Sequence, residues 1–259
     1  MKVHLLIATL LGAVQAFCVQ QPQDQPSQAP AEKSSPLDVF KKKIGEMAKP
    51  ASNTSGLSNT KIIAGLKEAL TVSTKNAVAS TGRVDGFLKN EAIKILLPPK
   101  LQTVGKGLRM AGMGSQVDAL EVGMNRAAEQ AAPAAKQIFL NALAKMTFDD
   151  ARKILSGDDT AATAFFKKQS SAELTTAFTP VVHREMENVG VVKQYNQMMK
   201  NPMAGSLAGR QNLNLDSYVV GKALDGLFYV MGEEEKKIRK DPAAQTTSLL
   251  KEVFGQLKH

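Results

Sequence analysis

No tryptophan occurs in this 259-residue chain, and aromatic residues make up 5% of it. Platforms on which bases could stack are therefore scarce, and nucleic acid is not an expected partner. Cysteine occurs once, as Cys18, which rules out an intramolecular disulfide. Of the three histidines, His4 is near the N-terminus and His259 is the last residue, so only His183 lies within the body of the chain. A His- or Cys-based metal centre has no ligands to draw on, and only an oxygen-ligand site for a hard cation remains conceivable. A Ser-His-Asp hydrolase would have His183 as its sole imidazole, with no G-x-S-x-G turn to carry the nucleophile. The phosphate-cradling patterns G-x-x-x-x-G-K-[ST] and strand-led G-x-G-x-x-G are missing too, and no cofactor is expected.

What the chain does contain is helix-forming. Ala, Leu, Lys, Glu and Met are plentiful, and the β-branched and aromatic residues are scattered rather than gathered in alternating runs. The expected fold is all-α, a single multi-helix domain of about 8–10 helices around a central C-terminal helix, with two helical subdomains as the alternative. Lys and Arg number 33 against 24 Asp and Glu, a formal charge of +9. That surplus suits an anionic membrane surface, a lipid or an acidic protein partner, and it also serves solubility.

The first 16 residues read as a cleavable signal peptide: Lys2, an apolar run from Leu5 to Val14, and the small-residue site Val14-Gln15-Ala16. The run is too short to span a bilayer in the mature chain. Export to a periplasm or the extracellular space is expected, with the secondary plastid of an alga as the alternative, because Phe17 follows the cleavage site. Residues 17–36 are rich in Pro, Gln and Ser and form an expected disordered tether. The helical domain spans 37–259 and opens with Leu37, Phe40, Ile44 and Met47 at helical spacing beside Lys41, Lys42 and Lys43. This is a docked first helix or a basic amphipathic one. Asn53-Thr54-Ser55 is a glycosylation sequon.

Further along, Ser58 or Asn59 caps a helix reaching about Ala79, and Thr81-Gly82-Arg83-Val84-Asp85-Gly86 breaks it. Ile93 to Pro99 is the one candidate for extended structure, because residues before proline avoid the helical region. Pro99 opens a helix, and Pro133 divides the long stretch Ser115 to Met146. Capping-box patterns at Thr147/Asp150 and Ser170/Glu173 predict helix starts. Asp149, Asp150, Asp158 and Asp159 are better read as helix-start carboxylates than as cation ligands. Residues 201–214 form a polar loop, after which Asp216 caps the central helix and Asp241-Pro242 ends it.

On that central helix, at about 100° per residue, Val220, Leu224, Leu227, Met231 and Ile238 form one apolar stripe. Val219, Ala223 and Val230 widen it on one side and Phe228 on the other. Tyr218, Lys222, Asp225, Tyr229 and Lys236 lie opposite. Glu233 points away, and Glu234 and Glu235 flank the stripe. Arg239 is the i+4 partner of Glu235, but Glu234 has no such local partner, and Arg83 of the glycine-flanked turn is its expected tertiary one. The alternative is chemical: Glu234, Glu235, Asp225 and Arg83 as weak candidates for acid, base and anion binder.

Several ordered stretches, GLKEAL from Gly65, TGRVDGFL from Thr81, MNRAAEQAAP from Met124, MTFDDARKIL from Met146, ALDGLFYV, and EEEKKIRKDPAAQTT, resemble the bacterial family catalogued as domain of unknown function 4197. The resemblance covers roughly Gly56 to Gly255 and implies an all-helical exported protein of unassigned activity. The family pattern has Arg in DPAxRTT where this chain has Gln245, which puts an anion site built on that Arg in doubt. The leading expectation is a non-enzymatic exported module that binds a hydrophobic or anionic ligand or an envelope partner. The alternatives are an unfamiliar hydrolase or lyase and a purely structural envelope protein.

Overall fold

The computed structural model describes residues 59–200, 214–241 and 244–245. The expected signal peptide, tether, residue 37–47 helix, Asn53 sequon, most of the 201–214 loop, Pro242 and the residues after 245 fall outside the described residues. Among the described residues every regular element is helical: α1 (Asn59–Gly82), α2 (Pro99–Met110), α3 (Gly114–Ala131), a 3-10 turn (Ala132–Ala134), α4 (Ala135–Lys145), α5 (Phe148–Ser156), α6 (Ala161–Asn188), α7 (Val191–Lys200) and α8 (Leu215–Lys240).

Most boundaries follow the local chemistry. Pro99 occupies the first turn of α2, where its missing N–H costs nothing. Pro133 lies in the 3-10 turn that separates α3 from α4. Thr147 and Asp150 form a reciprocal capping box at the start of α5. Two boundaries differ from expectation. No helix begins at Ser170: α6 runs through it, with the Ser170 and Ser171 hydroxyls donating back to the Phe166 and Lys167 carbonyls. A serine that bonds the carbonyl four residues earlier no longer caps, and Phe166, Leu174, Phe178 and Val182 keep the helical period across the site. The cap of α8 is Asn214, whose side chain accepts from the Ser217 N–H at 2.9 Å, whereas Asp216 turns to His183.

One apolar core joins all of these helices. Its centre is aromatic, with Phe139 of α4 edge-on to Phe166 of α6 at 5.3 Å and to Phe228 of α8 at 5.9 Å. Helix α8 is central as expected, packing against α6, α1 and α3. Val219, Val220, Ala223, Leu224, Leu227, Phe228, Met231 and Ile238 are buried, and Val230 lies half-buried at the margin. No described helix is long and apolar enough to cross a membrane.

Candidate functional site

The longest irregular connection among the described residues, 83–98, joins α1 to α2 and is as well ordered chemically as a helix. Some of its backbone groups pair with one another in turns over residues 83–94, and helix side chains satisfy others. A column on α3, Glu121, Asn125 and Glu129, does this at i, i+4 and i+8. Glu121 Oε1 accepts from the Leu97 N–H at 3.3 Å. Asn125 accepts from the Ile95 N–H at 2.9 Å and donates to the Ile95 carbonyl at 2.8 Å. Glu129 Oε1 accepts from the N–H groups of both Phe87 and Leu88 at 3.1 Å. From the other side, the Tyr218 hydroxyl of α8 donates to the Leu96 carbonyl at 3.0 Å. Gly226 of α8 leaves room for the Phe87 ring, since a Cβ there would lie 2.6 Å from Phe87 Cε1. The connection is thus bound along its length between α3 and α8.

At its start the chain turns sharply. Asp85 adopts φ 67°, a left-handed conformation that costs a non-glycine residue about 1–2 kcal/mol. Gly86 has no room for a side chain, because a Cβ would sit 2.3 Å from the Ser80 carbonyl oxygen and 2.7 Å from that of Thr81. Arg126 clamps the turn, reaching Asp85 Oδ1 and Glu129 Oε2 at 2.6 Å each, and Lys89 reaches Asp85 Oδ2 at 2.8 Å. Hydrogen bonds from Lys89 and Arg126 hold the Asp85 carboxyl below the usual carboxylate range, and Glu129 and Asp85 hold the Arg126 proton more tightly still. The Glu129 side chain is only 2% exposed, yet it has a cation and two backbone donors, so its charge is compensated.

Outside this locked turn lies an open cleft of about 540 Å³, lined by Ser80, Arg83, Val84, Lys89, Asn90 and Val230 among others. Val84 is 71% exposed. Arg83 is exposed, and its guanidinium makes no hydrogen bond or ion pair among the described residues. Every other described arginine is engaged: Arg109 by Asp118 and Glu121, Arg126 as above, Arg152 over the Phe148 ring, Arg184 by Glu185, and Arg239 by Glu235.

The expected pairing of Glu234 with Arg83 does not form. Glu234 Oε1 is bound by Lys237 at 2.7 Å, an i+3 partner on the same helix, and Oε2 by the Asn76 amide at 2.9 Å. Glu235 does pair with Arg239, at 2.9 Å, and its further role was not expected: buried, it accepts the Ala162 and Thr163 N–H groups and the Thr163 hydroxyl at 2.8–3.0 Å. It is the anionic cap of α6. Arg239 extends the same junction to the Ile154 carbonyl of α5 at 2.8 Å. Asp225 is exposed, with Lys222 at 3.8 Å. No hydrogen bond or ion pair links Glu234, Glu235, Asp225 and Arg83 to one another.

Three of the four helix-start aspartates hold the fold, and the fourth, Asp149, lies in the first turn of α5. Asp150 caps α5, Asp158 accepts from the Thr160 N–H at 2.9 Å, and Asp159 pairs with Lys240. Among the described residues no group of three or more His, Cys, Asp and Glu side chains could hold a metal ion. Gln245 is buried and donates to the Ile238 carbonyl at 3.1 Å, which makes its position part of the α8 terminus. The Glu121-Asn125-Glu129 column and Arg126 escaped sequence reading, although the regular polar spacing within an alanine-rich helix was a usable signal.

Fold and site together define a class: an all-helical domain in which one connection is clamped between two helices and begins in a turn that displays Arg83, unpaired among the described residues. The chain belongs to the family described as Protein of unknown function (DUF4197), whose sequence profile matches residues 56–255. No curated protein and no solved structure matches the chain at a significant level.

Proposed function

We infer that this protein is a non-enzymatic binding module whose recognition surface is the cleft beside the 83–86 turn. One observation carries the reading: a strained turn, fixed from behind by Arg126 and Glu129, holds Arg83 and Val84 in solvent, and among the described residues Arg83 has no hydrogen bond or ion pair. Backbone strain kept in place by surrounding bonds is a recurrent mark of binding sites. The acid and base candidates support this reading over the hydrolase or lyase alternative, because both oxygens of Glu234 and of Glu235 are taken up by fold-holding donors. The polar lining favours an anionic ligand over a purely hydrophobic one. An exported location, inferred from the first 16 residues, suits a module that meets envelope components.

Native mass spectrometry of the gently purified full chain, with extraction of bound lipids and proteins, tests this. An anionic ligand or a defined partner should accompany the wild type and be lost from Arg83→Ala. A bare monomer in both preparations contradicts the reading and leaves a purely structural role.

A further inference from the structure

We propose that the Arg83 cleft binds a phosphate group, with Arg83, Lys89 and Asn90 as its donors; this rests on the binding reading and specifies its ligand. Arg83 offers a whole guanidinium fork, the geometry best matched to two phosphate oxygens, and nothing in the described fold uses it. The Asn90 side-chain oxygen accepts from the Ala92 N–H at 3.1 Å, which fixes the amide and leaves its NH₂ without a partner among the described residues. The Lys89 side chain is 76% exposed and spends one bond on Asp85.

Two carboxylates share the cleft, and neither blocks an anion. Asp85 has a cation on each oxygen, Lys89 and Arg126. Glu91 extends into solvent, with Lys94 at 4.0 Å. Counting the residues behind the turn, Arg83, Lys89, Lys94 and Arg126 face Asp85, Glu91 and Glu129, a net cationic balance. Because the turn is locked before any ligand arrives, little ordering cost falls on binding. Val84 and half-buried Val230 give the cleft an apolar side, which suits a phosphate carried on an organic group.

The test uses the full-length chain and inorganic phosphate as the probe, followed by nuclear magnetic resonance, with chloride at matched ionic strength as the control. Phosphate should shift the Asn90 side-chain amide and the backbone signals of residues 83–91, with affinity falling about tenfold or more in Arg83→Ala and less in Arg83→Lys. Asn90→Ala should weaken binding as well, while Arg83→Ala keeps the wild-type melting temperature. Vesicles of phosphatidylglycerol and of phosphatidylcholine then separate the sources. Retention on the former alone, lost in Arg83→Ala, assigns the phosphate to a lipid headgroup; retention on neither, with free phosphate still bound, assigns it to a soluble phosphoester. No phosphate-specific shift, or shifts that persist in Arg83→Ala, overturns the proposal. A ligand found by mass spectrometry in that case would leave the binding reading intact and refute only the phosphate.

Discussion

The side-chain amide of Asn125 and the main chain of Ile95 exchange two hydrogen bonds, at 2.9 and 2.8 Å, as two paired strand residues would. A helix side chain thereby replaces the missing strand partner of an extended segment. Asn125→Ala leaves the buried Ile95 N–H and carbonyl unpaired, and urea unfolding should show a loss of about 2–4 kcal/mol. A loss below about 0.5 kcal/mol would mean that water replaces the amide at little cost.

Glu129 and Arg126 should behave as one unit. Glu129→Ala leaves the Phe87 and Leu88 N–H groups unpaired and Arg126 with Asp85 alone, and Arg126→Ala takes the cation from buried Glu129, so each should cost about 3 kcal/mol or more. The double variant should cost clearly less than the sum, because it leaves no stranded charge. Additive losses in a thermodynamic cycle would show that the two side chains act separately.

Neighbouring glutamates on α8 should differ sharply. Glu235→Ala removes the cap of α6 and strands Arg239, and a loss of about 3–5 kcal/mol is expected. Glu234→Gln gives up a partly exposed pair with Lys237, and about 0.2–1 kcal/mol is expected. Combining Glu234→Gln with Arg83→Ala should be additive, since Glu234 is bonded to Asn76 and Lys237 instead. Thermal denaturation of the set checks the ranking.

His183 gives the fold a pH dependence. Its Nδ1 lies 2.7 Å from Asp216 Oδ2 and its Nε2 3.6 Å from Glu187, and the Asp216 hydrogen bond holds its pKa above the ordinary histidine value. The folded state therefore binds the proton more tightly than the unfolded one. The resulting stabilisation is complete below about pH 6.5 and fades as the pH rises through the elevated folded value. The melting temperature of the wild type minus that of His183→Asn should accordingly shrink as the pH rises above about 6.5. A difference that grows with pH would contradict the ion pair.

Much of the fold could be read from the chain because its signals were local. Pro99, Pro133 and the Thr147/Asp150 box mark backbone positions where only certain residues fit, and the stripe on α8 recurs from Val220 to Ile238. The Ser170/Glu173 pattern misled because a capping motif cannot be told from a serine bonding backwards until the flanking core positions are known. The site was harder to read for a different reason. Glu121, Asn125 and Glu129 look like the solvent face of a helix, and only the path of residues 87–97 shows that their partners are main-chain groups distant in sequence. Arg83 is legible as a turn residue but its lack of a tie to Glu234 is not, because charge complementarity alone does not reveal that Asn76 already holds Glu234.

Display of Arg83 requires the 83–98 connection to be a fixed platform and not an ordinary surface loop. Amide hydrogen exchange at Phe87, Leu88 and Ile95 tests this most directly. Protection at all three amides should be comparable to that of the α3 core, with Glu129→Ala releasing Phe87 and Leu88 more than Ile95. Exchange of these amides in the wild type at the rate of exposed loop residues would contradict it.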